Sequence, residues 1–226
     1  MQTYDVLIPV FNAQSKIGFL LRDLKRLSTP PCNIFVVDDH SSDQSVQVIQ
    51  EHDVKLQRLS QNYGKGYALR VGFNRFLQES TSDYLLCMDA DLQHPVTSIK
   101  KFIRRLPITF LIGNRTHDLS RMPWPRIASN LITSFIISKI TGQTIKDSQC
   151  GFRLIHRSVL AEIELSENGF QLESEFILKA NRIGVQTEFV DIPTIYNGHP
   201  SAINHWRDTW HFIRLITREL WRHKKI

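Results

Sequence analysis

The chain of 226 residues lacks long apolar runs, paired cysteines and low-complexity linkers. No stretch of 18 consecutive apolar residues occurs, so no transmembrane helix is predicted. Its three cysteines, Cys32, Cys87 and Cys150, form no CxxC pair, and two of them have apolar neighbours. This pattern favours buried free thiols in a reducing compartment. The N-terminus MQTYDVLIPVF contains an acid and only a short apolar run, so it is not predicted to be a signal peptide. We expect a cytoplasmic protein, either free or peripheral on the cytosolic face of a membrane.

Several functional signatures are also missing. There is no Walker A loop, no GxGxxG after a strand, no HExxH, and no helix-turn-helix, zinc-finger or RNP pattern. The excess of 28 basic over 22 acidic residues gives a net charge of +6, which suits an anionic partner. Without a recognition motif, nucleic acid is not expected to be that partner. Solvent-facing or packing roles are expected for the histidines His94, His117, His199, His205 and His211.

Short apolar runs alternate with helix-period segments in the first half of the chain. Strands are predicted at 4–10, 33–39, 54–60, 83–89 and 108–114, and amphipathic helices at 15–27, 43–52, 65–79 and 95–105. Ser42 and Asp43 are expected to open the second helix, and Pro95 to lie in the first turn of the fourth. This alternation predicts an α/β fold with a mainly parallel sheet covered by helices on both faces.

The second half of the chain is less regular. A helix is predicted from near Pro125 to Gly142, a short strand or turn and then a helix start in FRLIHRSVL, and a helix in LESEFILKANRIG that ends at Gly184. VQTEFVDIP is predicted to be a further strand, and the last 23 residues to be a helix. We expect one domain over 1–203 and a C-terminal helix over 204–226.

Polar residues follow several predicted strands. Asn12 follows the first, Asp38 and Asp39 the second, and Asp89 and Asp91 the fourth. Ligands of open α/β sheets bind at the carboxyl ends of strands, so these residues mark a candidate site. Asp39 alone would more often cap the next helix.

The stretch DADLQ alternates acid, small, acid directly after a buried strand. The oxygen ligands Asp89, Asp91 and Gln93 suit a hard cation such as Mg²⁺ or Mn²⁺, and a cation would relieve the repulsion between the two carboxylates. In NYGKGYALRVGF, Gly64, Lys65 and Gly66 precede a predicted helix, which suits a diphosphate. A plain turn with a solvated lysine is the alternative.

Six motifs occur in order: PVFNA, VVDDHSSD, NYGKGYALRVGF, MDADLQHP, GNR and DSQCGFRL. Over residues 4 to about 195 the chain resembles the family 2 glycosyltransferases with the GT-A (Rossmann-like) fold. It is most similar to the branch that includes dolichyl-phosphate mannosyltransferase and bacterial polyprenyl-phosphate sugar transferases. The resemblance implies an inverting, metal-dependent transfer from a UDP- or GDP-sugar to a polyprenyl phosphate.

The resemblance also implies roles for individual residues. Asp89 and Asp91 would bind Mg²⁺ or Mn²⁺ with Gln93 as a further ligand, and Lys65 would contact the same diphosphate. The expected donor-binding residues are Pro9, Phe11, Asn12, Asp39, Lys65, Asp89, Ala90 and Asp91.

Further residues are expected near the phosphates and the acceptor. Arg115 and Arg126 match arginines near donor and acceptor phosphates, and Asp147 matches an acid that lines the sugar or acceptor site. A surface ion pair or a solvated charge is the alternative for Arg126, and for Arg153 a structural ion pair is weighed at least equally with a role in the site.

The acceptor decides whether a protein base is needed. A phosphate monoester is largely ionised and needs none, whereas a hydroxyl of a cell-surface glycan, the alternative acceptor, would need a carboxylate. Asp147, Glu173 and Glu175 are the candidates. A sugar-nucleotide pyrophosphorylase would carry a glycine-rich N-terminal signature, which PVFNAQSK lacks.

Three positions depart from the family pattern. Ala13 stands where an acid is usual, His40 where glycine is common, and Ala202 where a donor-closing lysine is usual. The donor nucleotide and the closing loop are therefore left open.

The last helix is predicted to be amphipathic. One face carries Trp206, Trp210, Ile213, Ile216 and Leu220 with Trp221 at its border, and the flank carries Arg207, Arg214, Arg218, Arg222 and Lys225. Such a helix suits an anionic headgroup layer. Alternatively, its apolar face packs on the catalytic domain or on a second subunit in a homodimer. A lipid acceptor would be reached by peripheral attachment or through a membrane-protein partner.

Overall fold

A seven-stranded mixed sheet forms the centre of the molecule. The structure is a computed structural model that describes residues 2–119, 122–195 and 205–223, with side chains at 205–208 and 222–223 outside the description. The strands are β1 Tyr4–Val10, β2 Ile34–Asp38, β3 Lys55–Arg58, β4 Tyr84–Cys87, β5 Phe110–Asn114, β6 Arg153–His156 and β7 Glu188–Asp191. Their order across the sheet is β3-β2-β1-β4-β6-β5-β7. The mainly parallel α/β fold predicted from sequence is confirmed.

Only β6 runs against its neighbours in this sheet. It pairs antiparallel with both β4 and β5, while β1, β2, β3 and β4 pair in parallel, as do β5 and β7. The amino end of β6 therefore lies at the same edge as the carboxyl ends of its neighbours. Residues leading into β6 can thus contribute to a site that parallel strands alone would form from their carboxyl ends.

Helices follow most strands, as the alternating pattern predicts. In the described residues they are α1 Ile17–Lys25, α2 Ser45–Gln50, α3 Lys65–Glu79, α4 Ile99–Ile103, α5 Trp124–Thr141, α6 Arg157–Glu162, α7 Leu172–Arg182 and α8 His205–His223. Helix α2 begins at Ser45, two residues after Asp43, and the Asp43 carboxylate accepts the Ser45 N–H at 2.9 Å, which is the kind of bond expected of a residue that opens a helix. Pro95 likewise lies just before a 3₁₀ turn, Val96–Ser98, rather than inside α4. No helix in the described ranges is long and apolar enough to cross a bilayer.

The central strands are buried on both faces. All residues of β2, β4 and β5 are buried, which explains why their sequences are near-continuous apolar runs rather than alternating patterns. Phe35, Phe110 and Phe152 are fully buried in this core. Cys87 and Cys150 are buried free thiols, as predicted for two of the three cysteines, and Cys32 is an exposed one.

Helix α8 packs through a face different from the apolar face predicted for packing. Leu215 and Glu219 are buried, and Arg218 makes ion pairs to Glu167 at 3.0 Å and Glu175 at 3.3 Å. Three residues of the predicted apolar face, together with the border tryptophan, are instead exposed: Trp210, Ile213, Leu220 and Trp221. Packing of that face on the catalytic domain is therefore wrong for these residues, although Ile216 does contact the core. Arg218 is paired with acids of the domain rather than lying on a free basic flank.

Two predictions for the last segment concern residues outside the described ranges. The structure does not describe Ala202 of the predicted closing loop, nor the side chains of Trp206, Arg207, Arg222 and Lys225. The boundary at residue 203 stays a prediction.

Candidate active site

Polar residues from several strands meet at one edge of the sheet. Phe11 and Asn12 follow β1, Asp39 follows β2, Asp89 and Asp91 follow β4, and Arg115 follows β5. Since β6 is reversed, the segment containing Asp147 and Gly151 reaches the same edge just before that strand. This edge is the carboxyl-end position at which open α/β sheets bind ligands.

Asp39 connects the end of β2 to the start of α3. Its two carboxylate oxygens accept the backbone N–H groups of Tyr63 and Gly64, each at 2.8 Å, and the residue is only 3% exposed. Burial raises the pKa of Asp39 although these two hydrogen bonds act in the opposite direction. The interpretation of Asp39 as a cap for the next helix is therefore wrong, because its carboxylate holds a different loop.

The other residues predicted to bind the nucleotide-sugar lie in β1 or follow β1 and β4. Pro9 is in β1, half-buried, and pairs with β2. Phe11 has 51% of its surface exposed, and Asn12 adopts a φ of 51° with its side-chain oxygen accepting the Ser42 N–H at 2.8 Å. Ala90 is buried between the two aspartates. The exposed Phe11 ring beside a fixed polar loop offers an aromatic face to a base, and the nucleoside role stays a prediction.

The glycines around Lys65 are needed for contact with another loop of the protein. Gly64 has a φ of 100°, and a Cβ at Gly66 would lie 2.5 Å from the backbone oxygen of Gly169. The Tyr67 N–H also donates to the Asn168 carbonyl at 3.1 Å. The glycines were predicted to let a diphosphate approach the backbone closely. In the structure, the backbone of residues 168–169 makes this close approach. The glycines hold the start of α3 in place.

Lys65 lies between two carboxylates. Its Nζ is 2.7 Å from Asp89 Oδ1 and 2.8 Å from Glu173 Oε1, and 19% of its side chain is exposed. Burial alone would raise the pKa of Asp89, but the Lys65 charge lowers it to about 2. The alternative of a solvated lysine in a plain turn is therefore wrong. Asp89 is ionised at neutral pH, as a metal ligand must be.

The turn after β4 is shaped by two residues that sequence reasoning did not select for this role. His94, buried and stacked on Phe152, accepts the Asp89 N–H at its Nδ1 over 3.3 Å. A Cβ at Gly151 would lie 2.8 Å from an Asp89 carboxylate oxygen. Gly151 is therefore required for the carboxylate to take this position, and the GF pair in DSQCGFRL was its only sequence signal.

The donor set fits a divalent cation that takes part of its coordination from substrate. Asp89 and Asp91 supply carboxylate oxygens, and the Gln93 N–H donates to Asp91 Oδ1 at 2.9 Å. No group of three or more acidic, His or Cys side chains suited to a metal occurs in the described ranges. Mg²⁺ and related ions commonly bind through one or two carboxylates plus substrate phosphates, and this pair matches that pattern. The ligand roles of Asp89, Asp91 and Gln93 stay predictions.

Arg115 is fixed by a buried carboxylate. Arg115 Nε is 2.8 Å from Asp147 Oδ2 and Nη2 is 3.0 Å from Oδ1, while Asn130 of α5 donates to Oδ1 at 2.9 Å. Burial opposes ionisation, but Arg115 lowers the pKa of Asp147 below its usual range. Asp147 has no exposed surface, so it orients Arg115 rather than offering a free carboxylate. Asn130 was not predicted, although it is a polar residue in an otherwise apolar helix.

The two remaining arginines occupy different positions. Arg126 lies in the first turn of α5, one turn before Asn130. Arg153 donates to the carbonyls of Cys150 at 2.8 Å, Ser148 at 2.8 Å and Glu173 at 2.7 Å. The structural role predicted for Arg153 therefore uses backbone carbonyls rather than an ion pair. These bonds join the segment before β6 to the start of α7.

Comparison with known proteins places this site in a family. The model of the glycosyl transferase family 2 domain matches residues 5–164. The chain belongs to this family. The resemblance derived from the six motifs is thus confirmed, and the protein is a glycosyltransferase.

Curated relatives of this family 2 glycosyltransferase include enzymes named for lipid-phosphate acceptors. An uncharacterized protein of Methanocaldococcus jannaschii is 31% identical over 84% of this chain and 81% of its own length. The undecaprenyl-phosphate 4-deoxy-4-formamido-L-arabinose transferase of Photorhabdus laumondii is 29% identical over 69% of this chain and 49% of its own length. The chain therefore spans about half the length of that transferase.

Solved structures with the same fold include sugar-phosphoglycerate synthases. Mannosyl-3-phosphoglycerate synthase from Rubrobacter xylanophilus superposes with a TM-score of 0.74 at 19% identity, over 100% of this chain and 76% of that one. Glucosyl-3-phosphoglycerate synthase from Mycobacterium tuberculosis, in complex with Mn²⁺ and UDP, has a TM-score of 0.71 at 14% identity, over 96% and 80%. At these identities the likeness shows the GT-A fold alone.

Proposed function

We propose that this family 2 glycosyltransferase moves a sugar from a UDP- or GDP-sugar to a polyprenyl phosphate, with inversion at the anomeric carbon. The observation that carries the proposal is that each of the three candidate bases is already paired. A phosphate monoester attacks without a protein base, whereas a hydroxyl requires one. The site is therefore better suited to a phosphate acceptor than to a glycan hydroxyl.

Each candidate base is already engaged in ion pairs or hydrogen bonds with other residues of the protein. Asp147 is buried against Arg115 and Asn130, as described above. Glu175 has no exposed surface, and it accepts hydrogen bonds from Ser166 and pairs with Lys179 at 2.8 Å. Glu173 is 5% exposed and is paired with Lys65. The pKa values of Asp147 and Glu175 are lowered by these partners although burial acts in the opposite direction, so both carboxylates are weak proton acceptors.

The proposed roles of the site residues follow their positions. Asp89 and Asp91, with Gln93, would hold Mg²⁺ or Mn²⁺, which when bound neutralises charge on the departing diphosphate. Lys65 supplies a second positive charge next to Asp89. Arg115, oriented by Asp147 and with 16% of its side chain exposed, would bind a phosphate group, for which its planar donor set is well suited. Arg126 would add charge on the acceptor side.

The acceptor class has support outside the geometry. Relatives in several bacteria carry names that specify an undecaprenyl-phosphate acceptor, including one from Serratia proteamaculans that is 27% identical over 83% of this chain and 58% of its own length. Divalent metal use has family precedent in the neighbour solved with Mn²⁺ and UDP. Both facts are properties of those other proteins. For this chain they support the proposal.

A matched pair of acceptors tests the proposal. The purified chain is given radiolabelled UDP- and GDP-sugars with Mn²⁺ and either a short polyprenyl phosphate or the polyprenol of the same length. We expect a labelled glycolipid from the phosphate with one donor and none from the alcohol. Transfer to the alcohol or to a glycan hydroxyl instead, or no binding of any nucleotide-sugar, would refute the proposal.

We also propose that the chain attaches peripherally to an anionic lipid surface. The solvent face of α8 exposes Trp210 by 65%, Ile213 by 51% and Trp221 by 72%, with the exposed Arg214 next to them. Tryptophans beside a basic residue suit the headgroup layer of an anionic membrane. Because the opposite face of α8 is held by the Arg218 ion pairs, the apolar face is left to solvent.

Helix α5 exposes a second apolar face near the site. Leu131, Ile132 and Phe135 are 47%, 58% and 61% exposed, while Asn130 on the inner face contacts Asp147. The outer face therefore lies about one helix diameter, roughly 10 Å, from the Arg115 pair. A lipid surface at this face would bring a polyprenyl phosphate close to Arg115.

Sedimentation with vesicles tests the attachment. Vesicles of phosphatidylglycerol and phosphatidylcholine should pellet the protein, and Trp210→Ser with Trp221→Ser should weaken binding about tenfold. Phe19→Ser is the matched control, because Phe19 is an exposed aromatic residue on α1. Equal binding of the double variant and the parent protein would show that α8 does not contact the lipid.

A further inference from the structure

Lys65 is held at the candidate metal ligand by both of its neighbours. The ammonium group contacts Asp89 Oδ1 at 2.7 Å and Glu173 Oε1 at 2.8 Å, and it lies 5.8 Å from the centre of the Phe170 ring. Its backbone is fixed by Asp39 through Gly64 on one side and by Asn168 through Tyr67 on the other. Lys65 is therefore a positioned cation inside the site.

A divalent cation that used the same carboxylate would meet this ammonium group. Two cations on one carboxylate oxygen repel each other strongly in a site that is largely shielded from water. An ion bonded to Oδ1, at the distance of about 2.1 Å typical of Mg²⁺, would share that oxygen with Nζ, which already contacts it at 2.7 Å. Binding of an ion through Oδ1 is therefore expected to weaken the contact of Lys65 with Asp89.

We propose that Lys65 and the divalent cation compete for Asp89, so that metal binding releases Lys65 from this carboxylate and makes it available to the donor diphosphate. The competition for Asp89 concerns this chain's own residues. The role of the released Lys65 at the donor diphosphate rests on the proposed function. Glu173 gives the released lysine a partner within the site. Lys65 thus stays near the phosphates instead of moving into solvent.

Glu173 has a predictable influence on this competition. In the structure it shares the ammonium group with Asp89 and so reduces the hold of Lys65 on Asp89. If Glu173 is neutralised, Lys65 no longer shares its charge between two carboxylates. Its contact with Asp89 then becomes stronger. Removing the charge of Lys65 and removing the charge of Glu173 should therefore change metal affinity in opposite directions.

Manganese binding without nucleotide tests the competition directly. The free Mn²⁺ signal in electron paramagnetic resonance is measured for the whole chain and its variants. Lys65→Met should bind Mn²⁺ about tenfold more tightly, a value between those for exposed and buried ion pairs. Lys65→Arg keeps the charge and should bind like the parent protein. Lys55→Met, which removes a lysine from a surface pair with Glu79, is the matched control and should also be unchanged.

Glu173→Gln gives an independent result if Lys65→Met does not fold. Its Mn²⁺ affinity should fall several-fold, because Lys65 then binds Asp89 alone. Mn²⁺ should also raise the melting temperature of Lys65→Met more than that of the parent protein, since a ligand stabilises in proportion to its affinity for the folded state. Unchanged or weaker Mn²⁺ binding by folded Lys65→Met, or unchanged or tighter binding by Glu173→Gln, would overturn the competition.

The outcome is separable from that of the proposed function. Mn²⁺ affinity is measured with neither donor nor acceptor present. Tighter binding by Lys65→Met together with no transfer from any nucleotide-sugar would support the competition and refute the proposed function. Equal Mn²⁺ binding by Lys65→Met and the parent protein, together with sugar transfer to polyprenyl phosphate, would refute the competition and support the proposed function.

Discussion

Replacement of Asp147 by Asn tests the central claim that a buried ion pair orients Arg115. The substitution keeps the shape of the side chain and removes its charge, so that the guanidinium loses a partner with which it makes two contacts, at 2.8 and 3.0 Å. Both groups are shielded, with 0% of the Asp147 side chain and 16% of the Arg115 side chain exposed. Removing one charge of such a pair leaves the other uncompensated and costs about 3 kcal/mol of unfolding free energy.

The exposed pair of Arg105 and Glu188 provides the matched control. Their side chains are 47% and 44% exposed, and the ion pair is open to water and salt. Glu188→Gln should therefore cost less than about 1 kcal/mol. In urea at pH 7, Asp147→Asn should lower the unfolding midpoint by about 1 M, given the slopes typical of proteins, and Glu188→Gln should shift it by a third of that or less.

The pH dependence adds a second requirement. The pKa of Asp147 is lowered in the folded protein, so the unfolded chain takes up the proton more readily. The stabilisation is complete above the unfolded pKa of about 4 and is lost as the pH falls through the lower folded value. The difference between the parent protein and Asp147→Asn should be constant from pH 7 to pH 5 and shrink below pH 4. A cost no larger than that of Glu188→Gln, or a difference that does not change with pH, would refute the reasoning.

Two further predictions concern the glycines and the thiols. Gly66→Ala should lower the unfolding free energy by about 2 kcal/mol or more, because its Cβ would lie 2.5 Å from a backbone oxygen. At Gly18 a Cβ would lie 3.0 Å from a Val48 side-chain methyl and 3.8 Å from His52 Nε2, so Gly18→Ala meets side chains rather than backbone and should change the melting temperature less. An Ellman's reagent titration of the native protein should label Cys32 quickly and leave Cys87 and Cys150 unlabelled until urea is added, since burial raises the pKa of both to about 12. Two or more fast thiols would contradict this.

The sheet was predictable because its strands leave a local signal. Buried on both faces, β2, β4 and β5 carry continuous apolar runs, and each is followed within two residues by a charged residue of the site, namely Asp39, Asp89 and Arg115. The reversal of β6 was not predictable, because FRLIHRSVL has the same local pattern whichever way its strand runs. The reversal brings Asp147 and Gly151 to the site, so their placement depended on topology rather than on composition.

The partners of the site residues were harder to predict than the residues themselves. Lys65 and Glu173 are 108 positions apart, and Asn130 and Asp147 lie on different elements. Contacts of this kind arise from packing and leave no period or spacing in the sequence. Asp147 was expected to line the acceptor site, and only its contacts reveal that it acts through Arg115. The apolar face of α8 was recognised from its period, but which face meets the domain is decided by Arg218 and its acidic partners.

The exposed tryptophans give the molecule a built-in optical reporter. Trp124, Trp210 and Trp221 are 74%, 65% and 72% exposed, and they are the tryptophans whose side chains the structure describes. Indoles surrounded by water emit at long wavelength, so these three tryptophans should already emit in the native protein much as they do in a denatured chain. Whatever covers α5 or α8 would shift this emission to the blue, and the event could be followed in real time without attaching a dye.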